Sequence, residues 1–219
     1  MSKTQVVFVA GSKGGVGKSA TAHLACLGAI LHNQPAAYVL TDPSRKIRGE
    51  GRPYGVLDGR EPHQLANILG ARQLALNGWL IIDGGGNRPA FDATIAAEAN
   101  LCILPFRASE EDLDTVADDM RRIPNAVAWP TAWPTNAFAE RAALFYVEAL
   151  AKAFPLRVIS PPIPFVNSVS ELLAASLDAP SSPVRQLAKR VFDIMSDTFD
   201  ERQGLVFPQF SRQEIEGLG

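Results

Sequence analysis

The 219-residue chain is predicted to fold as one α/β domain, with a mostly parallel sheet that carries helices on both faces. Two observations predict this class: short apolar runs recur along the chain, and segments of helical character separate them. A strand buried on both faces of a sheet consists of consecutive apolar residues, because neither face meets water. The predicted strands are Val6–Ala10, Ala36–Leu40, Trp79–Ile82, Leu101–Leu104, Ala126–Trp129 and Arg157–Ile159.

Helices are predicted between and after these strands, and this alternation is typical of the crossover connections of a parallel sheet. The helix that begins at Glu110 has the clearest start signal, because Ser109 can cap it and acidic residues fill its first turn. The predicted helices are Lys18–Leu31, Pro62–Leu76, Phe91–Glu98, Glu110–Arg122, Ala137–Phe154, Val169–Leu177 and Val184–Phe199.

The composition and the net charge of the chain exclude several classes of protein. Hydrophobic residues make up 47% of the chain and charged residues 20%, and 21 Lys+Arg against 23 Asp+Glu give a formal net charge of −2. These values exclude disordered and fibrous classes. Because the chain as a whole is not basic, any contact with nucleic acid must involve a local basic patch.

Cysteine usage and hydropathy indicate a cytoplasmic protein. Cys26 and Cys102 lie in separate apolar runs and form no CxxC pair, so we expect two small core residues in a reducing compartment. No stretch approaches the roughly 18 apolar residues of a membrane span. The first apolar run is also too short for a signal sequence.

A single domain over residues 1–203 and a C-terminal tail over residues 204–219 are expected, since no linker or repeat interrupts the chain. The longest irregular stretch is Asp42–Glu61, which is rich in Gly, Pro and Arg. Long loops in compact domains are usually functional. This one carries four cations that are able to hold an anionic ligand: Arg45, Lys46, Arg48 and Arg52.

A glycine-rich segment joins the first strand to the first helix: Gly11-Ser12-Lys13-Gly14-Gly15-Val16-Gly17-Lys18-Ser19. Glycines let successive backbone N–H groups point into one concavity, and the following helix adds the positive end of its dipole. Lys18 can place an ammonium beside the β- and γ-phosphates, and the Ser19 hydroxyl can ligate Mg²⁺. The segment therefore predicts a nucleotide site, held by Gly14, Gly15, Val16, Gly17, Lys18, Ser19 and Ala20.

With Lys13 directly before the double glycine, the chain resembles the ParA/MinD family of deviant Walker A P-loop ATPases, and small ParA-like partition proteins in particular. Further segments match that family in order and spacing, and the resemblance spans about residues 4–178. These segments are Thr41-Asp42-Pro43, Asp83 at the end of the third strand, Asn100–Pro105, Ser109–Asp112, and Pro161–Phe165 with the helix that contains Glu171.

The resemblance implies ATP and Mg²⁺ as cofactors and a homodimer in the ATP state. Lys13 matches the lysine that reaches across the dimer to the partner's phosphates, and a lysine from each side would offset the facing charges. Asp42 matches the switch aspartate that helps to set up the attacking water, so Lys13, Lys18 and Asp42 are the implied catalytic residues.

The resemblance also implies a metal site and a base site. Asp83 matches the carboxylate that holds a Mg²⁺-bound water, so Ser19, Asp42 and Asp83 are the implied metal-site residues. Pro164 and Phe165 match the segment that lies beside the adenine.

Three segments depart from the family pattern. Leu40 stands where the first aspartate of an Asp-x-Asp-Pro switch is common, and Gly84-Gly85-Gly86-Asn87 replaces a Pro-Pro pair. The fifth strand ends in Trp129-Pro130-Thr131 instead of an asparagine that reads the base. Glycines make the second switch more flexible, so we expect hydrolysis that is either slow or coupled to a partner in an unusual way. The choice of ATP rests on the resemblance.

The expected partners are DNA, a ParB-like DNA-binding adaptor, or both, in plasmid or chromosome partition or in conjugative DNA transfer. Arg185, Lys189 and Arg190 lie opposite the apolar stripe of the last helix and form a candidate DNA contact. The alternative is a solvated helix face. Membrane binding is not expected, because a proline breaks the apolar tail Leu205–Phe210. An iron–sulfur cluster is not expected either, since both cysteines fall within predicted elements.

Two other functions stay open at this stage. The cations of the Asp42–Glu61 segment suit an ATP-dependent small-molecule kinase or ligase on the same fold. Leu40 and the glycine run suit a module that binds nucleotide without hydrolysing it.

Overall fold

Parallel strands form one sheet in the part of the chain that the computed structural model describes, residues 4–71, 77–85 and 88–203. Their order along the sheet is β3-β2-β4-β1-β5-β6, which confirms the predicted α/β class. The strands are β1 (Gln5–Val9), β2 (Ala36–Leu40), β3 (Gly55–Asp58), β4 (Trp79–Asp83), β5 (Leu101–Arg107) and β6 (Ala126–Thr131).

Helices cover both faces of this sheet. Alternate residues of β1 belong to opposite cores: Val7 and Val9 to one cluster, Val6 and Phe8 to the other. The first cluster includes side chains of α1 (Lys18–Leu31), the 3-10 helix Asn167–Leu173 and α6 (Ser182–Gln203). The second includes side chains of α2 (Pro62–Ala71), α3 (Pro89–Glu98), α4 (Glu110–Arg122) and α5 (Ala137–Ala153).

None of the described helices combines the length and the apolar composition that crossing a bilayer requires. Cys26 in α1 and Cys102 in β5 are both buried, as predicted for core residues.

The carboxyl ends of β1, β2 and β4 meet at one edge of the sheet. Val9 of β1 and Leu40 of β2 are each in register with Asp83, the last residue of β4. The loop after β1 and the segment that begins at Thr41 therefore leave the sheet on either side of Asp83. In sheets of this class, ligands bind outside the carboxyl ends of the strands.

The segment predicted to be irregular, residues 42–61, contains the edge strand β3, so that prediction was wrong in part. These four residues pair in parallel with β2, from Ala37 opposite Gly55 to Leu40 opposite Asp58. Each side chain is exposed or only half-buried. An edge strand of this kind needs no continuous apolar run, which is why the apolar pattern missed it.

The predicted strand 157–159 is also wrong, because the structure has only a bridge between Val158 and Ala128 there. The Arg157 guanidinium turns back to donate to the carbonyls of Ala126, Met120 and Ile123, at 2.9, 2.9 and 3.0 Å. Prolines on both sides of this segment limit any further strand pairing.

The helix predicted over 169–177 is replaced by the 3-10 helix Asn167–Leu173. After it the backbone is extended at Ala174, and Leu177 N donates to Glu50 O at 3.0 Å instead of continuing a helix. Residues 72–76, the predicted end of the second helix, lie outside the described residues.

The packing of α1 against α6 depends on a glycine. A Cβ atom at Gly28 would lie 2.2 Å from Ala188 O and 2.5 Å from Phe192 Cβ, well inside van der Waals contact. The two helices can therefore approach this closely only because Gly28 has no side chain.

We expect Gly28→Ala to lower the free energy of unfolding by about 1–3 kcal/mol, because the added methyl forces the helices apart. Urea denaturation of the purified chain measures this change. Gly70→Ala is the matched control, since a Cβ at this exposed position in α2 meets nothing within 4 Å. Equal stability of the two variants would show that the α1–α6 contact is not close-packed.

Candidate functional site

The loop between β1 and α1 forms an open concavity. Gly15 and Gly17 have φ values of 78° and 98°, in the left-handed region that glycine adopts without strain. A Cβ at Gly14 or at Gly15 would meet no atom within 4 Å, so no described side chain packs against these two positions. The N-terminus of α1 begins directly behind it, at Lys18.

Two side chains that the motif does not contain hold this loop in place. Asp119 Oδ2 accepts hydrogen bonds from Ser12 N at 2.8 Å and from Ser12 Oγ at 3.0 Å. Thr131 Oγ1 donates to Val16 O at 2.7 Å from the end of β6. Sequence reasoning missed Asp119 altogether and considered Thr131 only for base reading, because no local pattern marks contacts across more than 100 residues of chain.

Lys18, the first residue of α1, lies beside the loop whose bound phosphates it is predicted to contact. Its Nζ donates to Lys13 O at 2.6 Å, across the concavity. Burial lowers the pKa of Lys18, and Asp83, Asp92 and Asp119 partly oppose that effect. The ammonium therefore stands at the mouth of the loop, where an anionic ligand would meet it.

Asp83 is a buried carboxylate beside this loop, and its side chain is only 1% exposed. Its Oδ2 accepts a hydrogen bond of 2.5 Å from the Tyr38 hydroxyl. Burial raises the pKa of Asp83, while hydrogen bonds from Ser19 and Tyr38 work in the opposite direction. Its Oδ1 has no hydrogen-bond partner among the described residues, which leaves one acceptor available to a ligand.

Arg45 lies within 4 Å of all three residues predicted to form the metal site. Its Nη1 donates to Ser19 Oγ. Its Nε lies 3.5 Å from Asp42 Oδ2, and its Nη1 lies 3.9 Å from Asp83 Oδ2. Sequence reasoning placed Arg45 in the neighbouring loop and did not assign it to the phosphate site; its position three residues after Asp42 was the available signal.

These residues fit Mg²⁺ and the phosphates of a nucleotide. Ser19, Asp42 and Asp83 supply hydroxyl and carboxylate oxygens, the donor types that Mg²⁺ prefers. A cavity of about 240 Å³ brings together the glycine loop, Lys18, Ser19 and Asp42 with Gly84 and Gly85. Arg45 and Leu173 also line it. Gly86 and Asn87, the remainder of the predicted second switch, lie outside the described residues.

A second cavity, of about 490 Å³, adjoins the first and shares Gly15, Gly17, Ala20 and Leu173 with it. Pro164 and Phe165, the predicted base-contacting residues, line this cavity together with Val16 and Thr131. Phe165 N donates to Trp133 O at 3.1 Å, which anchors the segment to the chain that follows β6. A nucleotide could span the two cavities with its phosphates at Lys18 and its base at Phe165.

Lys13 points away from both cavities, toward the start of α4. Its Nζ lies 2.7 Å from Glu111 Oε1 and 2.7 Å from Asp112 Oδ1. Hydrogen bonds to Asp112 and Glu111 raise the pKa of Lys13. Ser109 caps α4, as predicted, by accepting from Asp112 N at 3.3 Å.

Arg185, Lys189 and Arg190 are all exposed on α6. Val184, Leu187 and Val191 face the core, as the predicted apolar stripe requires, and Ile194 is half-buried. The three cations thus lie on the solvent-exposed side of α6. The apolar tail residues 205–210 lie outside the described residues.

A buried polar chain continues from Asp83 into α1. Tyr38 stacks on His23 with ring centroids 4.0 Å apart, and His23 Nδ1 shares a hydrogen bond of 2.9 Å with the Tyr54 hydroxyl. Burial, with help from Arg52 and Arg45, lowers the pKa of His23 to about 3. The imidazole is therefore neutral in the folded protein at neutral pH.

No family model matches the chain, and no curated protein matches its sequence. Solved structures match its fold. The ATP complex of a McdA variant from Cyanothece aligns with a TM-score of 0.63 at 12% identity, over 90% of this chain and 98% of that chain. A ParA family ATPase from Chlorobium tepidum aligns with a TM-score of 0.62 at 12% identity, over 87% and 97% of the two chains.

A third structure is cobyrinic acid a,c-diamide synthase from Mycobacterium smegmatis with a bound ATP analogue and magnesium. It aligns with a TM-score of 0.60 at 18% identity, over 95% of this chain and 99% of that chain. The chain therefore has the α/β fold that these three structures share.

We expect His23 to make the protein less stable in acid. The unfolded chain binds a proton at His23 below about pH 6.5, whereas the folded chain does not until about pH 3. The free energy of unfolding should therefore fall by about 1.4 kcal/mol per pH unit from this group as the pH drops below 6.5. Urea titrations between pH 7 and pH 5 measure the slope.

His23→Phe keeps a flat ring against Tyr38 and removes the titrating group, so its slope should be smaller than that of the wild type by this amount. His63→Gln, at an exposed position in α2, is the control and should keep the wild-type slope. Identical slopes for all three proteins would contradict a buried neutral imidazole.

Proposed function

We propose that this chain is a ParA/MinD-type ATPase. It binds ATP with Mg²⁺, forms a homodimer in the ATP state, engages DNA or a DNA-bound ParB-like adaptor, and resets by slow hydrolysis. The observation that carries the proposal is the glycine loop with Lys13 and Lys18, which opens onto two adjoining cavities beside Asp42 and Asp83. The name of the neighbouring ParA family ATPase from Chlorobium tepidum supports the same assignment.

In this proposal the loop N–H groups and Lys18 hold the phosphates, and Pro164 and Phe165 border the base. Bound Mg²⁺ would supply charge that offsets the γ-phosphate, with Ser19, Asp42 and Asp83 as the residues that hold it, directly or through water. Asp42 would orient the attacking water. Partition of a plasmid or chromosome, or conjugative DNA transfer, is the proposed process.

Arg45 has to leave Ser19, Asp42 and Asp83 before a divalent cation can use their oxygens. The Arg45 guanidinium supplies one positive charge at this place, whereas bound Mg²⁺ would supply two. Loading therefore exchanges an internal cation for an external one, and the segment that carries Arg45 moves with it. The segment that begins at Asp42 would therefore respond to nucleotide through Arg45, three residues after Asp42.

Lys13 is proposed to exchange partners when the dimer forms. Within one chain it is held by Glu111 and Asp112, each at 2.7 Å. Across a dimer it would contact the partner's phosphates, which carry more negative charge than these two carboxylates. The acidic first turn of α4 would then compete with the dimer for the same ammonium.

Lys13→Ala should weaken ATP-dependent dimerisation at least tenfold, because the cross-dimer charge contact is lost. Light scattering on the purified chain with ATP and Mg²⁺ measures the dimer fraction. Lys152→Ala, which removes an exposed lysine from α5, should dimerise like the wild type. Because Asp112 is buried and loses its partner in Lys13→Ala, circular dichroism must show that this variant is folded. A folded variant that still dimerises fully would rule out the sandwich dimer.

DNA binding is proposed for the exposed cations of α6, with a merely solvated face as the alternative. Replacing Arg185, Lys189 and Arg190 together by Gln should weaken binding to non-specific DNA in the presence of ATP. Each lost phosphate contact should make the dependence of log K on log salt shallower by about 0.9. Gel shifts and fluorescence anisotropy at several salt concentrations measure both effects.

The matched control replaces two exposed cations of α5, Arg141 and Lys152, by Gln. It changes the net charge in the same direction without touching α6. If the α5 control weakens DNA binding as much as the α6 variant does, the DNA contact is not local to α6. If the α6 variant binds DNA like the wild type, DNA binding is assigned to an adaptor.

A small-molecule kinase or ligase is the second candidate function, and the four cations of residues 45–52 beside the phosphate cavity favour it. Turnover distinguishes the two functions. A switch ATPase hydrolyses ATP without an added substrate and responds to DNA, whereas a kinase or ligase needs its acceptor. A reducing cytoplasm is the proposed setting for either function, in keeping with two buried thiols.

A further inference from the structure

A third cavity lies behind the first switch. Its volume is about 430 Å³, within the range of sites for small organic ligands. It is bordered by α1, by β2 and by residues 44–56, and it meets the phosphate cavity at Arg45 and Leu173, which line both. The proposed nucleotide site does not account for this space.

Positive charge dominates one side of this cavity. Arg45, Lys46, Arg48 and Arg52 line it, and no carboxylate is among its lining residues. Arg48 Nη1 donates to Leu173 O at 2.5 Å, a contact that positions the guanidinium without neutralising it. Arg45 is paired with Asp42 and Asp83, and an anion in the cavity would offset the charges of the other three cations.

Arg52 is the strongest single indication. It is 9% exposed, and its Nη2 donates to Leu172 O and Ala174 O, both at 2.9 Å. Its Nε and Nη1 are buried and have no hydrogen-bond partner among the described residues. Buried guanidinium groups are costly unless hydrogen-bonded acceptors meet them. Arg52 also lines the cavity, so an anion there would lie near a guanidinium whose donors are not all paired, and a carboxylate or phosphate is the group that matches it.

The other side of the cavity is apolar. The Tyr38 ring, Leu40 and Val56 line it, and Tyr38 and Leu40 are almost completely buried. An inorganic ion alone would leave the apolar side of the cavity unfilled. A ligand that carries both an anionic group and a flat apolar part would cover both sides.

We propose that this cavity binds a small organic anion. A carboxylate or phosphate group of the ligand would bind Arg48 and Arg52, and its apolar part would lie against Tyr38. The site is separate from the nucleotide cavities and goes beyond the proposed ATPase, which has no use for a second ligand.

The test uses the full chain saturated with ADP and Mg²⁺, so that the glycine loop is occupied. ADP binding is measured first and reports on the proposed function; the cavity is then titrated separately by calorimetry. The probes are 1-naphthyl phosphate and 1-naphthoate, with the uncharged 1-naphthalenemethanol as reference. We expect at least one anionic probe to bind, and the uncharged compound to bind at least tenfold more weakly. The tighter anionic probe identifies the preferred group.

Arg48→Gln and Lys46→Gln should each weaken the anionic probe about tenfold, in line with the loss of one charge-assisted contact. Both residues are exposed, so neither variant should unfold the protein, and thermal melts verify this. Arg141→Gln removes an exposed arginine of α5 outside the cavity and should bind like the wild type. Arg52→Lys should also weaken binding, since it replaces a planar guanidinium by a single ammonium at a residue that lines the cavity.

Three results would overturn the proposal. The first is an absence of binding by both anionic probes. The second is that the uncharged compound binds as tightly as the anionic probes, or that Arg48→Gln and Lys46→Gln bind the anionic probe as tightly as the wild type does. The third is binding only in the absence of ADP, which would place the probe on the glycine loop instead.

Discussion

The Asp83 carboxylate is buried at the end of the central strand β4, and water does not solvate it, so the protein itself must compensate it. Tyr38 does so directly, and Arg45 lies 3.9 Å away. Because the strands are parallel, their carboxyl ends bring the glycine loop from β1 and Asp42 from the chain after β2 to the same place. The polar chain through Tyr38, His23 and Tyr54 begins at this buried carboxylate, and Arg45 lies beside it.

Two cations beside the glycine loop are already engaged inside the chain. Lys13 is held by the first turn of α4, and Arg45 is held by Ser19, Asp42 and Asp83. Each contact uses groups that a loaded site would need for something else. Under the proposed function, nucleotide binding and dimer formation would exchange one set of ion pairs for another, so that their free energies would be differences between two paired states.

Local signals predicted much of this structure. The apolar run of β2, the Ser109 cap with its acidic turn, and the glycine loop before α1 each determine their element from neighbouring residues. The four residues of β3 carry no such signal, because an edge strand is specified by its pairing with β2. The loop and its lysines were likewise readable as a motif. The placement of Arg45 and the anchoring role of Asp119 were not, since each depends on a side chain brought close only by the folded sheet.

Leu173 contributes to more than one cavity. It ends the 3-10 helix and lines all three cavities, those of the phosphates, the base side and the cationic segment. Leu173 therefore forms part of the wall of each cavity. A ligand that shifted this residue from one cavity would change the space in the other two, and the resulting linkage between occupancies would have the same magnitude in both directions.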